Sequence, residues 1–287
     1  MKIAIIVNFD KNGAADAAKK ISTLLLSEGA DVLMLKSELA ASLHNVKLFD
    51  NHTELVADCD ILLTVGGDGT IIHCAKHAAA SGKPVLGINL GRLGYVAELE
   101  PDETEMLKAL LKGEYSLENR LILSVTVKRE NGKTEKYTAV NDAVISRGAL
   151  SRIIDIKVSI DGDAVSSYRA DGVLVATPTG STAYALSAGG PVIAPNLKCI
   201  ELVPICSHSM SARCAVLSPN SVLEIKSSSP DGKSYLTIDG QISVELSEKD
   251  SVEVKSSEHT LDMIVMKKRN FFKLAGEKLK EVTVNEA

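Results

Sequence analysis

The apolar residues of the first third of the chain follow two different spacings. Some stretches are short continuous apolar runs, which are typical of strands buried on both faces. Residues 3–7 form such a run, and 31–36, 61–65 and 84–89 are predicted as further strands. Between them, apolar residues recur at helical spacing, over 14–25 before Gly29 and again over 71–80. Strands that alternate with helices predict a parallel sheet covered by helices.

The pattern changes near residue 118. Over 121–128 and 154–160, apolar residues alternate with more polar ones, as in antiparallel sheets with one face in water. Four dipeptides supply turn signals, some of them hairpin-like. They are Asn131-Gly132, Asp161-Gly162, Asp231-Gly232 and Asp239-Gly240. This pattern predicts a β-rich domain with an antiparallel, sandwich-like arrangement of strands.

Two domains are therefore expected. An α/β domain covers residues 1–118, and the β-rich domain covers 119–269. Residues 271–282 return to helical spacing, and the C-terminal segment 270–287 is expected to pack back on the α/β domain. The length of 287 residues agrees with this division, at about 150 residues per domain.

Composition removes several classes of function. Hydrophobic residues make up 45% and charged residues 24%, which are ordinary values for a globular protein. The net charge of −5 argues against nonspecific binding to nucleic acid, which favours a basic face. The chain has no Trp, six Tyr and four Phe, so platforms for stacking single-stranded bases are not expected.

Cysteine usage and hydropathy bear on location. The number of cysteines, five, is odd and no pair forms C-x-x-C, which predicts reduced thiols in a cytoplasmic protein. The N-terminal apolar run is too short for a signal peptide, and no small-residue cleavage site follows it. No apolar run approaches the 18 or so residues that a spanning helix needs, so we expect no membrane association.

The segment Gly66-Gly67-Asp68-Gly69-Thr70 lies between a predicted buried strand and a helix. Glycines let a ligand approach the backbone closely, and a helix N-terminus favours phosphate. A carboxylate is unusual beside phosphate, and two roles explain Asp68: holding Mg²⁺, or taking the proton of an attacking hydroxyl. The alternative is a tight turn in which Asp68 only caps the helix.

A second dense segment runs from Arg169 to Tyr184. A short strand over 173–176 is followed by Thr177-Pro178-Thr179-Gly180-Ser181-Thr182-Ala183, which is rich in small and hydroxyl residues. Small residues admit a planar group to the backbone and hydroxyls bond a base or sugar, although an ordinary turn is also compatible. An ordinary dinucleotide dehydrogenase is disfavoured, because Asn89 replaces the second glycine of G-x-G-x-x-G.

These blocks together resemble the NAD kinase family of the bacterial type. The resemblance rests on the glycine segment, on Asn141-Asp142 and on the long segment from Arg169 to Tyr184, which occur in the family's order and spacing. Gly91-Arg92-Leu93-Gly94-Tyr95 and Asp239-Gly240-Gln241 also match. The glycine segment alone is shared with lipid kinases, whereas the long segment is specific.

The resemblance implies an N-terminal α/β nucleotide-binding domain, a β-rich C-terminal domain and NAD in a cleft between them. It further implies transfer of the ATP γ-phosphate to the 2′-hydroxyl of the adenosine ribose, with a divalent metal, Mg²⁺ or Mn²⁺. Asp68 resembles the catalytic base, and the phosphate loop would comprise Gly66, Gly67, Gly69 and Thr70. The resemblance also suggests a homodimer or homotetramer.

By the same resemblance, a set of residues would bind NAD. It comprises Asp68, Gly69, His73, Asn141, Asp142, Arg152, Arg169, Asp171, Thr182, Ala183, Tyr184, Ala185, Leu186, Ser187 and Gln241. Asn141 and Asp142 would contact the adenosine, although Asp142 is one methylene shorter than the family's more common Glu. Asp171 would face the nicotinamide side. Arg152 and Arg169 would be basic contacts, from their own subunit or from a neighbouring one.

Other hypotheses are compatible with parts of the sequence. His73, Cys74 and His77 are spaced for a zinc site, but no second cluster of ligands lies nearby in the sequence. A lipid kinase would share the glycine segment but would need an apolar acceptor groove. A sensor that binds NAD without turnover would keep Asp68 only as a cap. No direct protein ligand of a metal is assigned.

Overall fold

The computed structural model describes residues 1–91, 94–148, 153–209, 212–230, 233–268 and 270–284. The chain forms two compact units, each described here by itself. The first unit comprises Met1–Asn119 and Leu261–Ala287, and the second comprises Arg120–Thr260. The boundaries fall inside two long strands, β6 (Ser116–Lys128) and β17 (Ser251–Val265). Residues 261–269, which the sequence pattern places in the β-rich domain, are thus part of the first unit.

The first unit is a parallel sheet with helices on its faces. Its strands are β1 (Lys2–Val7), β2 (Asp31–Leu35), β3 (Val46–Phe49), β4 (Ile61–Gly66) and β5 (Val85–Asn89). Its helices are α1 (Ala14–Ser27), α2 (Glu38–Ser42), α3 (His52–Asp58), α4 (Asp68–Ala80), α5 (Leu107–Leu111) and α7 (Phe271–Val284). The strand order is β3-β2-β1-β4-β5, followed by the last residues of β17, and every pairing is parallel.

Burial on both faces explains the continuous apolar runs of these strands. Ile3, Leu63 and Leu86 are at most 2% exposed, and they share a core with Ile21 and Leu25 of α1. Burying one such side chain contributes about 1.5–3 kcal/mol. The opposite face is covered by α3 and α4.

The strand order reverses between β1 and β4. β1 is followed by strands placed on one side of it, whereas β4 and β5 are placed on the other side. In open α/β sheets, ligands bind outside the carboxyl ends of the strands at this reversal. The segments that begin at Asn8 and Gly67 leave the sheet at this place.

The second unit consists of two antiparallel sheets packed face to face. Its strands are the rest of β6 and β17, with β7 (Thr134–Ala139), β8 (Asp142–Arg147), β9 (Ile154–Ile160), β10 (Asp163–Ala170), β11 (Gly172–Ala176), β12 (Ile200–Ile205), β13 (Ala215–Leu217), β14 (Leu223–Ser228), β15 (Ser234–Ile238) and β16 (Ile242–Leu246). One sheet has the order β10-β9-β14-β17, with β6 and β7 attached. The other has the order β13-β12-β11-β8-β15-β16 and carries the short helix α6 (Tyr184–Ser187). Their inner faces form one core, which includes Val125, Ile156 and Val175.

Three of the predicted turn dipeptides lie at hairpins. Asn131-Gly132, Asp161-Gly162 and Asp239-Gly240 join β6 to β7, β9 to β10 and β15 to β16. Asp161 and Asp239 have φ of 54° and 48°, a left-handed conformation that Asp tolerates better than most residues. Asp231-Gly232 lies outside the described residues.

The predicted fold class is confirmed, and the differences are local. Helix α4 begins at Asp68 rather than Ile71, because Gly67 is its N-cap. The elements α2, β3 and α3 have no counterpart in the prediction, since each is too short to show a clear period. In the described part of the chain, no helix is long and apolar enough to cross a membrane.

Leu63→Ala is expected to lower the free energy of unfolding by about 2–5 kcal/mol, because it leaves a cavity in a core where Leu63 is 0% exposed. Urea denaturation followed by circular dichroism measures the loss. The matched control is Leu117→Ala in the same unit, where the side chain is 52% exposed and a change within about 0.5 kcal/mol is expected. Equal losses in the two variants would contradict this assignment of the core.

Candidate active site

The glycine segment forms the junction between β4 and α4. Gly67 caps the helix in extended conformation, and its carbonyl accepts the N–H groups of Thr70 and Ile71 at 2.9 and 3.2 Å. A Cβ on Gly66 would lie 2.6 Å from Thr70 Oγ1, so only glycine fits there. A Cβ on Gly67 or Gly69 would meet nothing within 4 Å, so the backbone at these two positions faces open space. The segment therefore combines a helix N-terminus with accessible main chain.

Asp68 is the first residue of α4, and its carboxylate is held by the segment that follows β5. Oδ2 accepts the N–H of Tyr95 at 2.6 Å and Oδ1 accepts the N–H of Val96 at 3.2 Å. These bonds show that Asp68 does more than cap a turn, because the cap position belongs to Gly67. A carboxylate has about four lone-pair sites, so each oxygen can still accept another hydrogen bond.

Gly94 makes this arrangement possible. A Cβ at position 94 would overlap Asp68 Oδ1 and would also approach the other carboxylate atoms. Any larger residue would therefore displace the Asp68 side chain or the backbone that binds it. Arg92 and Leu93, which belong to the same matching segment, lie outside the described residues.

A cavity lies where the strand order reverses, and residues that follow β1 and β4 line it. The cavity, of about 450 Å³, lies against Asn8, Phe9 and Asp10 after β1, and against Gly69 and Thr70 of α4. His52 and His73 line its side. The Asn8 amide donates to Thr70 Oγ1 at 3.1 Å, which ties the two segments together. The cavity opens beside the first turn of α4, and a helix N-terminus favours an anion.

Three histidines of this unit, His52, His73 and His77, form a ring cluster. The rings of His52 and His77 are stacked at 5.3 Å between centroids, with planes 12° apart, and His73 lies edge-on to both. Cys74 points into the core, where burial raises the pKa of its thiol to about 12. Within the described residues, no group of three His, Cys, Asp or Glu side chains could hold a metal ion. The zinc hypothesis therefore finds no support in the geometry.

In the second unit, one carboxylate organises the Asn141-Asp142 segment. Asp239 accepts the N–H of Val140 at 3.1 Å through Oδ2, and those of Asn141 and Asp142 at 2.7 and 3.0 Å through Oδ1. Its own N–H donates to the carbonyl of Asp142 at 2.9 Å. The side-chain oxygen Oδ1 of Asn141 is buried without a hydrogen-bond partner in the described residues. The segment is thus held in place by three backbone hydrogen bonds to one carboxylate.

The hydroxyl-rich segment is fixed against Asn141 from the other side. Thr177 donates its N–H to the Asn141 carbonyl at 2.8 Å and its hydroxyl to the Val140 carbonyl at 2.6 Å. A Cβ on Gly180 would overlap the Asn141 carbonyl oxygen, so this glycine serves a close approach. Ser181 donates to the carbonyl of Pro178 and accepts from the N–H of Ile193. These hydroxyls therefore satisfy the local backbone.

Helix α6 presents Tyr184 beside two acidic residues. Tyr184 as a residue is 46% exposed, and burial, followed by the charges of Cys206, Asp171 and Asp142, raises the pKa of its phenol. Asp171 accepts a hydrogen bond from Arg147 Nε at 2.7 Å. Asp142, Asp171 and Tyr184 therefore form one polar patch.

The other residues predicted to contact NAD lie in three parts of the second unit: around α6, in the β15–β16 turn and on the β9–β10 hairpin. Thr182 and Ala183 precede α6, Leu186 and Ser187 lie within it, and Ala185 packs into the core at 0% exposure. Gln241 lies in the hairpin turn beside Asp239, where its N–H donates to the carbonyl of Ile238. Arg169 has a 74% exposed side chain and pairs with Asp155 at 3.3 Å, on the β9–β10 hairpin. Arg152 lies outside the described residues.

Five positions shape the candidate site in addition to the predicted residues: Gly94, Tyr95, Val96, Arg147 and Asp239. Gly94 and the N–H groups of Tyr95 and Val96 hold Asp68, and Asp239 holds Asn141-Asp142. The matching segments around residues 91–95 and 239–241 were the signal that could have identified them. Arg147, which pairs with Asp171, has no signal in the sequence.

Comparisons with known proteins assign the family. The model of the ATP-NAD kinase N-terminal domain matches residues 3–115, and that of the ATP-NAD kinase C-terminal domain matches residues 140–266. The NAD kinase of Desulforamulus reducens is 38% identical over 280 residues, covering 97% of each chain. That of Caldanaerobacter subterraneus subsp. tengcongensis is 37% identical over 281 residues, covering 98% of this chain and 99% of the relative.

Two solved structures are also similar. The Archaeoglobus fulgidus NAD kinase in complex with ATP has a TM-score of 0.74 and 27% identity, over 98% of this chain and 99% of the other. The yeast NADH kinase complexed with NADH has a TM-score of 0.86 at 24% identity, over 98% of this chain and 87% of the other, and shows the fold. With both domain models and relatives matching over nearly the full length, the chain belongs to the ATP-NAD kinase family.

Proposed function

We propose that Asp68 is the catalytic base of the reaction that family membership assigns, the ATP-dependent phosphorylation of NAD to NADP. The observation that carries this role is the fixed carboxylate, held by two backbone N–H groups beside the glycine segment. The phosphoryl acceptor would be the 2′-hydroxyl of the adenosine ribose.

The Asp68 carboxylate is a weak base, and its fixed position explains how it could still accept the proton of the 2′-hydroxyl. In the transfer, the 2′-oxygen forms a bond to the γ-phosphorus, the bond from that phosphorus to the β–γ bridging oxygen breaks, and ADP leaves. The hydroxyl proton passes to a carboxylate oxygen of Asp68. In a loose transition state this proton leaves late, so orientation matters more than basicity. The two N–H bonds supply that orientation before the substrate arrives.

The phosphates of ATP would bind at the accessible main chain of the glycine segment. Gly67 and Gly69 leave open space, and the N-terminus of α4 carries positive partial charge. The bond from Asn8 to Thr70 fixes the wall of the adjoining cavity. The Thr70 side chain also packs closely against the backbone of Gly66, where a Cβ would not fit.

The NAD molecule would be bound largely by the second unit. Asn141 and Asp142 would receive the adenosine, since Asp239 fixes this segment and a carboxylate suits a vicinal diol. Helix α6, with Tyr184 and Ser187, would form a wall, and Asp171 would face the nicotinamide side. Arg147 would keep Asp171 in place through its hydrogen bond at 2.7 Å.

The described residues are compatible with a divalent cation that binds together with ATP, mainly through the phosphates. The described part of the chain holds no cage of His, Cys, Asp and Glu side chains. Mg²⁺ commonly binds through substrate phosphates, water and one or two carboxylates. Mg²⁺ or Mn²⁺ would neutralise phosphate charge when bound, and Asp68 supplies a carboxylate within the glycine segment, in the first turn of α4.

Quaternary structure and location complete the proposal. A homodimer or homotetramer would allow Arg169, which is largely exposed, or Arg152 to act on the NAD of a neighbouring subunit. All five cysteines are free thiols, in keeping with a reducing cytoplasm.

Asp68→Asn is expected to lower kcat by about 10²–10⁴-fold, because the amide cannot accept the proton. A coupled assay with NAD, ATP and Mg²⁺, read by an NADP-specific dehydrogenase, measures the change. Asp102→Asn, the same replacement at an exposed position, is the control and should keep full activity. Comparable turnover in Asp68→Asn and wild type would remove Asp68 from the chemistry.

Asp239→Asn is expected to raise the KM for NAD by about tenfold with little change in kcat, because at least one hydrogen bond to the Val140–Asp142 backbone is lost. The control is Asp161→Asn, since Asp161 also has a positive φ and also accepts a backbone N–H, that of Val222 at 2.8 Å. Both variants should lose stability, but only Asp239→Asn should affect NAD. An unchanged KM in Asp239→Asn would separate this segment from the NAD site.

A further inference from the structure

Glu201 is a carboxyl group that the mechanism does not use. It lies in β12, between β11 and β13, and is 0% exposed. Both of its side-chain oxygens are buried without a hydrogen-bond partner in the described residues. A buried carboxylate without partners is costly in free energy, and such groups remain protonated instead.

The turn that ends α6 rests directly on this side chain. A Cβ on Gly190 would overlap Glu201 Oε1 and would lie 2.9 Å from the Ala185 carbonyl oxygen. The Gly190 N–H donates to that same carbonyl at 2.9 Å, and the Gly189 N–H donates to the Leu186 carbonyl at 3.1 Å. Gly189 has a φ of 91°, which favours glycine. The position of α6 thus depends on close contact between this turn and Glu201.

The environment of Glu201 favours its neutral form. Burial raises the pKa of its carboxyl group to about 7. Among the described residues, the Glu201 charge acts on two thiols, Cys199 just before β12 and Cys214 just before β13. Burial, and secondarily the Glu201 charge, raises the pKa of both thiols, so both favour their neutral form. Carbonyl oxygens such as that of Ala185 also disfavour a nearby carboxylate.

We propose that Glu201 is a positioning residue whose neutral form seats the α6 turn, so that binding of NAD weakens when Glu201 ionises. This inference rests on the proposed contact between α6 and NAD. A neutral carboxyl group can lie against the turn and its carbonyls, whereas a carboxylate there draws in water or moves the turn away. Binding-competent protein is then the fraction in which Glu201 carries its proton.

The size of the effect follows from that fraction. An apparent dissociation constant rises as the reciprocal of the competent fraction, so the KM for NAD should rise by up to about thirtyfold between pH 6 and pH 8.5. The KM for ATP should not follow, because its phosphates are assigned to the glycine segment of the first unit. A change in kcat alone would not reflect this mechanism.

Stability supplies a readout that does not depend on NAD. The ordinary pKa of 4.5 applies in the unfolded chain and about 7 in the folded one. Between these values the unfolded state loses the proton first, so the folded protein loses stability as pH rises. The melting temperature of wild type, compared with that of Glu201→Gln, should therefore fall progressively from pH 5 to pH 7.5.

The experiment combines both readouts on four full-length proteins: wild type, Glu201→Gln, Glu201→Leu and Glu258→Gln. The Gln variant keeps the shape without a charge, and the Leu variant provides a second uncharged side chain if Gln does not fold. Glu258→Gln makes the same change at an exposed position and should behave as wild type. The KM for NAD should rise with pH in wild type and stay flat in either uncharged variant.

The outcomes separate this inference from the proposed function. A KM for NAD that is flat in wild type, or that rises equally in Glu201→Gln, overturns the role of Glu201. Failure of the proposed NAD site would instead appear at pH 6, as Asp239→Asn and wild type having the same KM for NAD. If the melting temperatures follow the prediction but the KM does not, Glu201 senses pH without positioning α6 for NAD, and the inference is also overturned.

Discussion

The site of the first unit depends on one constraint, the attachment of the Asp68 carboxylate to the backbone N–H groups of Tyr95 and Val96. The contact requires glycine at position 94, where a Cβ would overlap the carboxylate. It also requires that β4 and β5 be neighbours in the sheet, since Asp68 follows β4 and the two N–H groups follow β5. The fold therefore places a carboxylate at a helix N-terminus, which favours negative charge. The substrate phosphates are proposed to bind at the same helix N-terminus.

The second unit uses the same device for a different purpose. Asp239, in a hairpin turn, accepts three consecutive backbone N–H groups and so shapes the Asn141-Asp142 segment. Gly180 then allows the hydroxyl-rich segment to approach the Asn141 carbonyl. In both units a carboxylate fixes a segment by accepting backbone N–H groups, and a glycine allows the close approach that the contact needs. Glu201 is the exception, because its carboxyl group is buried without such donors among the described residues and favours the proton instead.

The sequence predicted the features that depend on local pattern. The buried runs of β1 and β4, the alternation of β9 and the dipeptide at the β15–β16 turn all correspond to structure. The contacts that build the site could not be predicted from local pattern, because they join residues that are far apart in the sequence. Asp68 and Tyr95 are 27 positions apart, and Val140 and Asp239 are 99 apart. Arg147 shows the same limit, since only the pairing of β8 with β11 brings it to Asp171.

A double-mutant cycle of Gly94→Ala and Asp68→Asn tests the central claim most directly. If Gly94 matters because it lets the loop hold Asp68, Gly94→Ala should lower kcat by about 10–100-fold in wild type, as a misplaced catalytic group does. It should have almost no further effect when Asp68 is already Asn. Gly276→Ala, where a Cβ meets nothing within 4 Å, controls for the substitution itself. Equal losses from Gly94→Ala in both backgrounds would contradict the account, because the glycine would then act independently of the carboxylate.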